Sequence, residues 1–389
     1  MRSLIFVLFL VISFGSLGQK PDSIPLLLLD TEIQIESTDG INSMYNFDFL
    51  RADSQFRWLR GKYSWHPLPY FLLGLSQWWR IMPNLDETKY DKTFLVQMDS
   101  AILLAQNIFN KGSEVEGGFF LSAAHAFKGR LYAERRNWTK AASEGKKALQ
   151  YLEYCRGKEE FGPEIMFGDA LYNYYAEWIP ENYPILKPVM IFFEDGNKEL
   201  GLKQLKEVAN NAFFTRTEAQ YFLMRIEADE GDKKNALFIS EYLHQTFPNN
   251  AYFHRYYARQ LYASGLYTRM EPVCHSIMNK IDSAYVGYEA HSGRYATFFL
   301  GQMYSYKDEL EEAKKSYQLA IKYGEEIGAE KMGYHLHSLL SLGEIAIERE
   351  EFGEAEKYLK QVRKLSPKKS NVNKQAKKML KSIKSAKKA

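Results

Sequence analysis

Residues 300–320 read LGQMYSYKDELEEAKKSYQLA. Two stretches with apolar residues at helical spacing flank the polar turn Tyr306-Lys307-Asp308-Glu309. Gly301 is followed three residues later by Tyr304, twelve later by Ala313, and then by Tyr317 and Ala320. A small residue in each helix lets two backbones approach closely, and large side chains beside the crossing fill the remaining space. The stretch therefore predicts a helical hairpin.

Working outward, the same register recurs. Leu342-Gly343 is followed by Ala355, Leu359 and Pro367, with Ala346 where an aromatic would match Tyr304. Gly129 is followed by Tyr132, Ala141 and Ala148. Leu223-Met224 leads to Ala236 and Pro248, with Met in place of Gly and Glu227 in place of the aromatic. Upstream, Ala52, Phe56 and Leu59 read as a second helix, and Leu73-Gly74 opens the next unit. The crossing positions are Gly40, Gly74, Gly129, Gly168, Met224, Ala258, Gly301 and Gly343, two of whose intervals are 34 residues and the rest longer. Alternating strand patterns bounded by hairpin turns are absent. The expectation is an all-α solenoid of about eight irregular helical hairpins.

This pattern resembles the tetratricopeptide repeat (TPR), whose unit is 34 residues. The resemblance covers nearly all of the chain. Trp65-His66-Pro67-Leu68-Pro69-Tyr70-Phe71-Leu72-Leu73-Gly74 and Phe247-Pro248-Asn249-Asn250-Ala251-Tyr252-Phe253-His254 are similar to stretches of TPR proteins exported by Bacteroidetes-type bacteria. A weaker similarity is to the eukaryotic inclusion-body-clearance TPR family. The resemblance implies a periplasmic location and a stacked architecture, and no settled biochemical role.

Arg2, an apolar run from Leu4 to Phe14, and Ser16-Leu17-Gly18 have the three-part form of a secretory signal peptide. The run is shorter than the roughly 20 residues that span a bilayer. The expected organisation is a signal peptide at 1–18, a solenoid at 19–367 and a basic capping helix or tail at 368–389, the exported chain being soluble in the periplasm. Trp178 to Gly196 departs from the repeat: Pro180, Pro184 and Pro188 are expected to break helical continuity there, and the abundant apolar groups to pack on the solenoid. That insert reads either as a filler of a long repeat or as a wall of a ligand site.

The chain carries a formal charge of +3, but residues 361–389 hold eleven Lys and Arg and no acid, which takes residues 1–360 to −8. The tail reads as the polar end of the stack, since Val372, Ala376, Met379, Leu380 and Ile383 share one helical face. It also reads as a contact for an anionic envelope surface; nucleic acid is not an expected partner of an exported chain. Two Cys, Cys155 and Cys274, cannot form a disulfide framework and are expected to be buried free thiols.

Eight scattered His include His335 and His337, two apart and so pointing apart on a helix. There is no His-Glu-x-x-His, Cys-x-x-Cys, phosphate-binding Gly loop or Gly-x-Ser-x-Gly elbow. No catalytic residue, metal site or cofactor is expected, and the function expected is protein binding: a scaffold holding a protein or peptide in its groove. The alternatives are a carrier of a small or acyl ligand under the insert and an enzyme with an unfamiliar site. Stepping one residue past each crossing position and three before it gives the candidate groove residues Arg130, Tyr221, Arg225, Arg255 and Arg259, with Tyr252 and Tyr262 flanking the last pair. Arg forks suit a carboxylate-bearing partner, unless neighbours such as Asp169, Glu218 and Glu227 neutralise them.

Overall fold

The computed structural model describes residues 26–184, 187 and 194–387. The expected signal peptide lies outside the described residues. Among them the chain forms 17 α-helices and no strand.

The first eight hairpins follow the crossing positions one for one. They are α1 (Thr31–Tyr45) with α2 (Phe49–Lys62), α3 (Leu68–Ile81) with α4 (Asp91–Asn110), and α5 (Glu114–Glu134) with α6 (Trp138–Leu152). Next come α7 (Pro163–Asn182) with α8 (Lys198–Asn211), α9 (Arg216–Asp229) with α10 (Lys233–Thr246), and α11 (Ala251–Ala263) with α12 (Tyr267–Asp282). The last are α13 (Ala290–Tyr306) with α14 (Leu310–Glu326) and α15 (Gly333–Glu348) with α16 (Phe352–Leu365), followed by α17 (Asn371–Ala386). Apart from α6 and α7, each helix packs on its neighbours in sequence, and α1, α3, α5 and α7 also stack on one another, as do α11, α13, α15 and α17. The molecule is an all-α, TPR-like solenoid.

The glycines explain the close crossings. A Cβ on Gly301 would lie 2.6 Å from the Tyr317 ring, and one on Gly343 would lie 2.8 Å from Leu359. On Gly40 and Gly74 it would meet Phe56 and Met98, each at 2.7 Å. Hairpin turns use left-handed backbone at Gly231 (φ 88°) and Asp308 (φ 63°). Side chains of Asp30, Asn137, Asp232, Asn250 and Ser370 cap helix N-termini.

α7 continues through Trp178 and Pro180 to Asn182, into the segment where a break is expected. Pro180 sits in the last turn, where its ring removes one helical bond and the chain leaves the helix two residues later. Cys155 and Cys274 are buried and unbridged. In α17, Val372, Ala376 and Ile383 are buried against α15 and α16 while its lysines face outward.

The superhelix turns back on itself. The end of α1 and the end of α3 meet the starts of α9 and α11: the Asn250 Nδ2 donates to the Tyr45 carbonyl at 2.7 Å, and the Asn249 N–H to the Asn46 side chain at 2.9 Å. Tyr45 packs on Phe247, and Trp79 on Tyr221 and Phe253. The interior between the first and sixth hairpins is consequently filled with aromatic rings. No described helix is long and apolar enough to cross a membrane.

Candidate functional site

Two anchors place the inner residues of α9 and α11. Glu164, buried in the first turn of α7, accepts the backbone N–H groups of Phe213, Phe214 (2.8 Å) and Thr215 (3.0 Å) and the Thr215 hydroxyl (2.7 Å), which fixes the start of α9. Asn250 caps α11 while bonding to Tyr45, so the first hairpin sets where α11 begins.

From these starts α9 aims Glu218 and Tyr221 inward, one turn apart. Glu218 accepts from Trp79 Nε1 at 2.7 Å and from the Tyr45 hydroxyl at 3.1 Å. Burial pushes its carboxyl up, against the pull of Trp79, the Arg130 charge and Tyr45. Tyr221 is 0% exposed, and its hydroxyl accepts from Arg130 (2.9 Å) and Arg225 (3.0 Å). Burial raises the Tyr221 phenol, but the two guanidinium charges outweigh it and bring it below the ordinary range.

The structure thus brings Arg130, Tyr221 and Arg225 together, with the Tyr252 ring 5.5 Å from that of Tyr221. Arg255 lies beside them, donating to the Pro83 carbonyl at 2.8 Å and standing 4.0 Å from Glu289. Arg259 lies over the Tyr256 ring at 5.5 Å. Tyr262, further along α11, stacks on Phe299 at 4.6 Å and belongs to the packing of the sixth hairpin on the seventh.

The acids that sequence reasoning offered as neutralising partners make their direct bonds elsewhere, although the Glu218 charge still acts on Arg130. Asp169 pairs with Arg156 at 3.0 Å, Glu227 with Lys206 at 3.3 Å, and Glu218 takes Trp79 and Tyr45. Among the described residues no carboxylate is within ion-pair distance of Arg130, Arg225 or Arg259.

Sequence reasoning missed Arg294. It is 7% exposed, its Nε and Nη1 have no partner among the described residues, and it lies 5.4 Å from the Tyr295 ring centre and 5.9 Å from that of Tyr334. It stands seven residues before Gly301 and so on nearly the same helical face as the crossing; stepping back two turns instead of one would have found it. Arg130, Arg225, Arg255, Arg259 and Arg294 thus all stand against Tyr side chains. Burial pushes both thiols up, Cys155 to about 12, which removes them as nucleophiles near neutral pH. Among the described residues no three His, Cys, Asp or Glu side chains are grouped to hold a metal.

No protein-family model matches the chain, and no curated protein matches it. Among solved structures it is similar to yeast Tom70, with 14% identity and a TM-score of 0.38, over 82% of this chain and 56% of that one. The chain thus spans little more than half the length of that protein. It is also similar to the TPR domain of P58(IPK), with 12% identity and a TM-score of 0.25, over 92% of this chain and 100% of that one. Likenesses of this strength say nothing of partners or activity.

Proposed function

We propose that the protein is a non-catalytic binding scaffold, exported to the periplasm, that holds an acidic extended segment of a partner protein against the inner face of α9 and α11. The observation that carries this reading is the set of guanidinium groups without carboxylate partners: Arg225 and Arg259 are half-buried, flanked by Tyr rings and unneutralised among the described residues. Arg forks bind carboxylates bidentately, and Tyr adds rigid contact area at low entropic cost. Tyr221 is sealed inside and Arg130 bonds to it, so those two hold the face in place; Arg225, Arg255 and Arg259 are the groups a partner meets. The outward lysines of α17 give a second, weaker contact for an anionic envelope surface.

Fluorescence anisotropy with labelled short acidic, neutral and basic peptides tests the reading. The acidic peptide is expected to bind, and to bind less tightly as salt rises. Arg259→Glu is expected to abolish that binding with the melting temperature almost unchanged. Equal binding of acidic and basic peptides, or an unaffected Arg259→Glu variant, overturns it.

A further inference from the structure

Beyond the Arg130 end of the inner face, a pocket of about 410 Å³ opens between α5, α6 and α7. That volume falls in the ~300–1,000 Å³ range of small-molecule sites. Phe119, Phe127, Leu149, Leu171, Tyr175 and Phe222 form much of its wall. Arg130 is the one charged residue among the described residues that line it.

Arg130 is held ready. Its guanidinium carbon lies 4.6 Å from the centre of the Trp78 ring, and its Nη2 donates to the Tyr221 hydroxyl at 2.9 Å. No carboxylate among the described residues pairs with it, and residues 185–193, which follow α7, contain no Asp or Glu. The Glu218 charge reaches it only from beyond ion-pair distance; a half-buried cation without a paired carboxylate is costly, and an anion arriving at this wall would relieve that cost. The rest of the wall sets the remainder of the ligand. A peptide would bring backbone N–H and C=O groups that these side chains cannot satisfy. A neutral hydrocarbon would leave Arg130 uncompensated. One charge in the wall of an otherwise apolar cavity matches a single-chain amphiphile with an anionic head.

We propose that this pocket binds a fatty acid, with its carboxylate on Arg130 and its chain between α5 and α7. The site is separate from the peptide-binding face proposed above, which depends on Arg225, Arg255 and Arg259.

Isothermal titration of the full chain with dodecanoate and with dodecanol tests it. Dodecanoate is expected to bind roughly tenfold or more tightly than dodecanol, the difference being the charge-assisted pairing with Arg130. Ala126 lines the pocket yet is exposed at its rim, so Ala126→Trp fills the mouth without disturbing the core and is expected to abolish dodecanoate binding. Arg130→Met is expected to bring the two ligands to equal affinity. Absence of dodecanoate binding, or full binding by Ala126→Trp, overturns the pocket; equal affinities for acid and alcohol in the unaltered protein overturn the pairing. If Arg130→Met fails to fold, the ligand pair and Ala126→Trp still decide. Binding of the short acidic peptides should be unchanged in Ala126→Trp, so either reading can fail without the other.

Discussion

The seventh and eighth hairpins and the first six solve the same packing problem differently. In α13–α16 the contacts run between neighbours: Tyr317 covers Gly301, Leu359 covers Gly343, and α17 closes the end. In α1–α12 the crossings are of the same kind, but the chain also bonds to itself over long separations, Trp79 to Glu218 across 139 residues and Asn250 to Tyr45 across 205. A repeat thus specifies a hairpin and its neighbour, while the curvature that brings distant hairpins together is set by particular polar and aromatic residues outside the repeat pattern.

The comparison is broken most directly at Glu218. Glu218→Ala leaves the Trp79 N–H and the Tyr45 hydroxyl without their acceptor inside the closed region, and urea unfolding should show a loss of about 3–5 kcal/mol. Glu218→Gln should cost much less, because burial already pushes the carboxyl toward its neutral form and the amide oxygen can still accept. A small loss in Glu218→Ala would mean that closure contributes little to stability.

A second break uses pH. His244 and His254 stack at 4.2 Å inside the same region, His254 also bonding to the Tyr288 hydroxyl at 2.9 Å. Burial and the Lys280 charge push His244 down to about 4, while burial, His244 and Lys280 push His254 down to about 2. Both folded values lie below the unfolded one, so the unfolded chain takes up protons first. Their stabilisation is complete above about pH 6.5 and is lost as pH falls, toward 4 for His244, where the loss is about 3 kcal/mol, and on toward 2 for His254. Denaturant midpoints measured across this window should fall, and His244→Phe should flatten the slope. A slope unchanged by that substitution would remove the pair as its source.

The smallest effects sharpen the repeat itself. Gly301→Ala places a methyl 2.6 Å from the Tyr317 ring and should cost about 1–3 kcal/mol. At Gly129 the nearest atom to such a methyl is 3.4 Å away, so Gly129→Ala should be neutral or stabilising by up to about 1 kcal/mol through helix propensity. Thermal melts should fall for Gly301→Ala and hold or rise for Gly129→Ala; a parallel fall would mean that both crossings are equally tight.

The hairpins were legible because their signal is local. Every crossing residue from Gly40 to Gly343 falls in the first helix of a pair, since small residues must recur where helices touch. The candidate groove residues Arg225, Arg255 and Arg259 rest on the same helical periodicity once the crossing is known. The burial of Tyr221 and the half-burial of Arg130 were not legible, because they depend on Trp79 and Trp78, which no spacing rule links to α9 or Arg130. Pro180 misled in the other direction, since a proline in a final turn and one that ends a helix look alike in sequence.

The bond from Asn250 to the Tyr45 carbonyl bears on how the protein is made. Chains emerge N-terminus first at ~5–20 residues per second, so roughly 10–40 s separate the appearance of Tyr45 from that of its partner. Hairpins seven and eight can form as each one emerges, in the manner of a solenoid that grows from its neighbour. The first two exist during that interval without the surface that completes them, with Tyr45 and Trp79 awaiting the arrival of α9 and α11. A slow late step in refolding, absent from the C-terminal hairpins, is the kinetic mark of that wait.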